Sequence, residues 1–204
     1  MNILKKAVLQ VEVMIEGCGY EHNAVTLTTK NDTNLCVYEN GILMQASFGG
    51  RTADFVTDVP THATTKPSFM FTAPLTKRPQ QSAAAAIINV LTGFLCISRK
   101  LHACSPEHHE ICIRELQKKI GDKTLYCAGT LSCIRQSFQN QITDDIKAAD
   151  LILVSGDGLL GEEGERVGDA FIPESDTEIL FIGPSSSGVS STLHCEHFCP
   201  YGRS

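Results

Sequence analysis

The sequence has no long uninterrupted apolar run. Its longest, "AAAAIINVLTGFLCI" from Ala83 to Ile97, is broken by Asn89, Thr92 and Gly93. A membrane span needs roughly 18–20 apolar residues, so this stretch reads as a buried helix and no membrane partner is expected. The opening "MNILKKAVLQVEVMIEG" lacks the apolar centre of a secretion signal, which makes a cytoplasmic location the expectation. Basic residues do not cluster: "LTKRPQ" and "ISRK" are short and separate, and the formal net charge is -6. The electrostatic footprint of a nucleic-acid binder is therefore missing. Tryptophan is absent too, which excludes no function.

What is present suits a globular protein. The 204 residues are 42% hydrophobic and 20% charged, enough for one large domain or two small ones with a real core. Nine cysteines stand out. Without a secretion signal they are not expected to form a disulfide framework. They are then either small buried apolar residues or metal and redox ligands.

Periodicity divides the chain. Ile3, Leu4, Ala7, Val8, Val11 and Ile15 fit a helix stripe, although Leu9, Val11, Val13 and Ile15 also alternate like a strand; helix is the preferred reading. "AVTLTT" reads as a strand. "LCVYENGILMQASF" reads as a hairpin turning at Asn40-Gly41, since Asn-Gly accepts positive φ at both turn positions. "QQSAAAAIINVLTGFLCISRK" and "CSPEHHEICIRELQKKIGD" read as helices, the second with Ser105 as N-cap, Pro106 in its first turn and Gly121 as its stop. "KTLYCAG", "ADLILVSG" and "TEILFIGP" are short continuous apolar strands separated by helix-length segments, the pattern of a parallel sheet covered on both faces. The expected fold class is α/β: a small α+β part over residues 1–102, then a Rossmann-like domain with a mainly parallel sheet over 103–204.

Four constellations could carry chemistry. The tail "HCEHFCPYGRS" offers His194, Cys195, His197 and Cys199, the ligand types that zinc or iron prefers. On a strand Cys195 and Cys199 would lie roughly 13 Å apart, so all four can share one ion only in a curled loop. "HACSPEHHEIC" places His108 and Cys112, or His109 and Cys112, one helical turn apart, with His102 and Cys104 just before the helix. Cys112 lies on the apolar stripe, which favours a core role. "SGDGLLGEEGE" spells G-x-G-x-x-G through Gly156, Gly158 and Gly161. The acid that should end the next strand is missing, so a flexible acidic loop is the better reading than a dinucleotide site. "FIGPSSSGVSS" follows a strand. Gly183 with Ser185, Ser186 and Ser187 could cradle an anion there, beside Gly156 and Gly158. Cys18 and His22 in "GCGYEH" are a nucleophile-and-base pair of a kind common by chance.

The run "IKAADLILVSGDGLLGEEG…TEILFIGPSSSG", from Ala149 to Gly188 at best, resembles the heavy-metal chelation domain family. That resemblance implies a Rossmann-like domain following a domain similar to the enolase N-terminal fold. It assigns no ligand residue, and the Cys/His-rich tail departs from the family's usual ending. Two readings result. The first is a cytoplasmic protein that handles a metal or binds a small ligand through one, using His194, Cys195, His197 and Cys199. The second is a small-molecule enzyme that binds a phosphate- or carboxylate-bearing ligand at the strand-end loop without a transition metal. A homo-oligomer is left open.

Overall fold

The computed structural model describes residues 1–31, 34–171 and 177–204. Helix α1 (Ile3–Ile15) takes the helical option of the ambiguous first segment and buries Ile3, Leu4, Ala7, Val8, Val11 and Ile15. Asn2 caps it, its side chain accepting from the Leu4 amide at 2.8 Å. Strands β1 (Val25–Lys30), β2 (Ile42–Phe48), β3 (Arg51–Thr57) and β4 (Ala63–Thr65) form an antiparallel sheet of order β3-β2-β1-β4. After the short helix α2 (Ser68–Thr72), helix α3 (Arg78–Phe94) crosses this sheet, burying every residue from Gln81 to Gly93.

The hairpin is not where the Asn-Gly signal puts it. It joins β2 to β3 through Gly49 and Gly50, both at positive φ, with Phe48 opposite Arg51. Two positive-φ residues are what a two-residue hairpin turn requires. Residues 35–40 form no strand, because Cys36 and Tyr38 are drawn into the core of the other half. Gly41 serves a close approach instead: a Cβ there would lie 2.7 Å from the Thr57 carbonyl oxygen.

The second half holds helix α4 (His109–Ile120), strand β5 (Leu125–Ala128), helix α5 (Ser132–Ser137), strand β6 (Leu151–Val154), helix α6 (Gly161–Ala170), strand β7 (Glu178–Ile182), helix α7 (Ser187–Thr192) and strand β8 (Glu196–Phe198). The four strands are parallel in the order β5-β6-β7-β8. A small α+β part followed by a parallel-sheet part is the architecture the sequence implies. Ser105 makes no side-chain cap, and a 3₁₀ turn over Pro106–His108 leads into α4. The segment read as a flexible acidic loop is α6; Glu162 and Glu163 occupy its first turn, where carboxylates favour the helix dipole.

Burial alternates along the strands. Tyr126, Ala128, Ile152, Val154 and Phe181 face a core shared with α1, α3, Val167 of α6 and Val189 of α7. Leu125, Cys127, Leu151, Leu153, Leu180 and Ile182 face a second core with Cys112, Leu116 and Ile120 of α4 and Ile134 and Phe138 at α5. The first core runs unbroken across residue 102. The outer edge of β3 is met by the chain after α3 and by the second half: the Asp54 amide donates to Leu101 O at 2.9 Å and the Val56 amide to Ser185 Oγ at 2.9 Å. Asn89 ties the same seam. Its Nδ2 reaches Asp54 O, Pro184 O and Ser185 O at 3.1, 3.3 and 3.0 Å, and its Oδ1 accepts from the Gly188 amide at 2.8 Å. Among the described residues no helix is long and apolar enough to cross a membrane.

Candidate functional site

Residues 36–41 pass over the C-terminal ends of the parallel strands. The Glu39 amide donates back to Cys36 O at 2.9 Å, a turn that directs the Glu39 side chain at the loop after β7. There Oε1 accepts from the Ser185 amide at 2.8 Å, while Oε2 is buried with no partner. Burial pushes the Glu39 carboxyl up to about 8; the Ser185 hydrogen bonds oppose this, and the charges of Asp157 and Asp54 add to it. Gly183, at φ +81°, must lack a side chain because a Cβ would stand 2.7 Å from Glu39 Oε1.

The loop residues expected to cradle an anion serve the packing. Ser185 Oγ is taken by the Val56 amide, Ser186 Oγ donates to Ile182 O and Gly183 O, and Ser187 Oγ pairs with Ser98 Oγ. All three serines are buried. Gly156 packs on Ser185, whose Cβ would be 2.4 Å from an added methyl, and a methyl on Gly158 would stand 2.2 Å from Ala128 O. These glycines and serines bring backbones together; their hydroxyls are spent inside the protein.

The tail does not curl. It adds β8 to the sheet, which holds successive side chains on opposite faces. His194 is exposed at φ 55°, and Cys195 packs against the first core. His197 Nε2 lies 2.8 Å from Gly183 O, and Cys199 is buried against Gly202. Burial pushes Cys195 up to about 11 and Cys199 up to about 12, away from the thiolate form that binds metal. Among the described residues no group of three or more His, Cys, Asp or Glu is placed to hold an ion, so His194, Cys195, His197 and Cys199 do not fit one metal. The two cysteine-bearing segments do meet: Cys199 lies near enough to Cys112 and Cys104, and Cys36 to Cys199 and Cys112, that ionising one thiol would push its neighbours' pKa up. His108 stacks on Tyr201 with ring centroids 5.0 Å apart.

A constellation that the sequence hid lies on the far side of β3. Thr52 and Asp54 point to one face, as residues two apart on a strand do. The His102 ring spans them: Nδ1 is 2.9 Å from Asp54 Oδ2, and Nε2 is 3.4 Å from Thr52 Oγ1. Gln45 Nε2 donates to the other Asp54 oxygen at 3.1 Å. The Asp54 and His102 side chains are 10% and 17% exposed, a desolvated pair in which the carboxylate fixes the imidazole. With Nδ1–H donating to Asp54, Nε2 is left as the basic nitrogen. His102 and Thr52 border a cavity of about 440 Å³ whose rim includes Arg51, Arg99, Cys96 and Ser98, with Asp54 behind His102. Both arginines are exposed, and neither is ion-paired among the described residues. His102 is separated from its partners by the whole of α3, so no local motif announces it.

No family model, curated protein or solved structure matches this chain.

Proposed function

We propose that this protein is a small-molecule enzyme working by acid–base chemistry on a phosphate- or carboxylate-bearing ligand in the cavity beside His102. The observation that carries this reading is His102 at the wall of the 440 Å³ cavity, held from behind by Asp54 at 2.9 Å. Arg51 and Arg99 supply two unpaired cations for the anionic group. Asp54 sets the tautomer, and His102 Nε2 takes a proton from the ligand or from a water it orients. The cavity volume falls within the range of about 300–1,000 Å³ usual for ligand sites. The site differs from the strand-end serine loop, whose donors are already engaged.

The test is a turnover screen over phosphate- and carboxylate-bearing compounds, with His102→Asn and an Arg51→Gln/Arg99→Gln double variant. General-base loss costs about 10²–10⁴-fold in rate, and the arginine pair should raise KM far more than it lowers kcat. Turnover that survives His102→Asn unchanged would sink the proposal.

A second reading, soft-metal handling, draws on the mutual proximity of Cys36, Cys112 and Cys199. It requires those thiols to close up and ionise. Metal analysis of protein purified without a histidine tag, repeated on Cys112→Ser and Cys199→Ser, decides it: a stoichiometric metal lost in both variants supports it, and a metal-free wild type overturns it.

A further inference from the structure

The parallel sheet has a point at which its connections part. After β5 the chain goes to α5, on the face of the second core. It then returns past the outer edge of β5, where Ile142 makes a parallel bridge with Leu125. Ile146 and Ala149 next join the first core, ahead of β6. After β6 the chain goes to α6, on the face of the first core. The loops leaving β5 and β6 therefore diverge to opposite faces, and such a divergence opens a crevice at the strand ends where α/β sheets bind ligands.

The walls of this crevice are built tightly. A Cβ on Gly129, at φ +106°, would lie 2.1 Å from Ser155 Oγ and 3.0 Å from the Gly158 amide nitrogen, so the two loops pack with no room for a side chain there. Asp157 locks them. Its Oδ2 accepts from the Thr130 amide at 2.8 Å and from Thr130 Oγ1 at 2.6 Å, and its Oδ1 accepts from Ser155 Oγ at 2.5 Å. Three other segments close over this floor: Asn40 and Gly41, Asp58 just past β3, and Arg78 at the start of α3. Together with Thr130 and Asp157 they line a cleft of about 220 Å³. The Arg78–Asp58 pair, 2.7 Å long, has side chains 42% and 61% exposed. A pair so exposed is worth at most about 1 kcal/mol and can yield to a ligand.

Size and charge select the ligand. The cleft is smaller than the roughly 300 Å³ at which drug-sized sites begin. Two carboxylates face one guanidinium, so a bare anion meets net repulsion, whereas an ammonium or hydroxyl finds acceptors. We propose that this cleft is a second ligand site, distinct from the His102 cavity, for a small amino-acid-like zwitterion. Its carboxylate lies on Arg78, and its ammonium lies between Asp58 and Asp157.

The experiment uses the ¹⁵N-labelled full chain and four probes: L-serine, lactate, ethanolamine and inorganic phosphate. L-serine should shift the Gly41, Thr130 and Asp157 amides saturably, with lactate and ethanolamine at least about 10-fold weaker, the cost of one lost charge pair of about 1.4 kcal/mol. Arg78→Gln and Asp58→Asn, both at exposed positions, should each abolish the serine response while amides near Arg51 and Arg99 keep their response to phosphate. Three outcomes overturn the proposal: no saturable shift with L-serine, phosphate or lactate binding as tightly as L-serine at these amides, or Arg78→Gln responding like the wild type. Because the phosphate response reports on the other cavity, failure here is separable from failure of the catalytic reading.

Discussion

Ser185 and Glu39, 146 positions apart, are joined by an amide-to-carboxylate hydrogen bond of 2.8 Å, and the second carboxylate oxygen of Glu39 is buried without a partner. Burial raises this carboxyl from the ordinary 4.5 to about 8. The native state therefore holds a proton that the unfolded chain has released. The associated stability is complete below about pH 4.5 and is lost as pH rises through 8. Glu39→Gln, which keeps the amide's acceptor and never ionises, should be more stable than wild type by on the order of 4–5 kcal/mol near pH 8.5, and about equal to it near pH 4.5. Urea unfolding across that range checks this; parallel pH dependence of the two proteins would refute it.

His197 gives the opposite slope. Burial lowers its pKa below 6.5, against the hydrogen bond to Gly183 O, and the charge of Lys100 lowers it further. Below about pH 6.5 the unfolded chain takes up a proton that the native ring resists. Stability should then fall as pH drops, and His197→Gln should flatten that acid limb. An unchanged acid limb in the variant counts against the buried neutral ring.

Asn89→Ala removes one side chain that serves three carbonyls and one amide. Buried backbone groups left without partners cost about 1–3 kcal/mol each. Allowing for relaxation, the variant should lose about 3–5 kcal/mol. Chemical denaturation measures it, and a loss under about 1 kcal/mol would show that water satisfies the seam.

Gly188→Ala tests the same contact from the other side. The new methyl would stand 2.6 Å from Asn89 Oδ1 and 2.7 Å from Asn89 Cα. Because α3 backbone cannot rotate away as a side chain can, a loss of about 1–3 kcal/mol is expected. A thermal midpoint equal to that of wild type would mean that α3 and α7 sit farther apart.

Thiol accessibility should divide the nine cysteines. Cys18 and Cys96 are exposed, Cys133 and Cys195 are half-buried, and the remaining five are buried. Native protein treated with an aromatic disulfide reagent should release a fast phase of two equivalents, with the buried thiols reacting only on unfolding. A fast phase of five or more would contradict the packing of Cys36, Cys112 and Cys199.

The parts of the fold carried by periodicity were legible in the sequence. The Ala-rich α3, the helix α4 ending at Gly121, and the strands β5, β6 and β7 follow from runs of like residues. The misreadings have tertiary causes. Asn40-Gly41 has the letters of a hairpin, but Cys36 and Tyr38 are worth more in the second core than in a strand. Asn89 looked like an interruption of an apolar run and is instead the knot of the seam. The serine loop looked like an anion cradle, yet its hydroxyls are consumed by Val56, Ser98 and neighbouring carbonyls. His102, Asp54 and Thr52 were illegible as a group because only the meeting of β3 with the chain after α3 assembles them.

The closure of β3 has a consequence during synthesis. Leu101 O occupies one of its outward amides, but Val56 waits for Ser185, which leaves the ribosome 129 residues later. Until β7 is complete, the nascent first half carries a partly open strand margin of the kind that recruits foreign strands. Slow translation through α4 and α5 should therefore increase aggregation and the demand for chaperones.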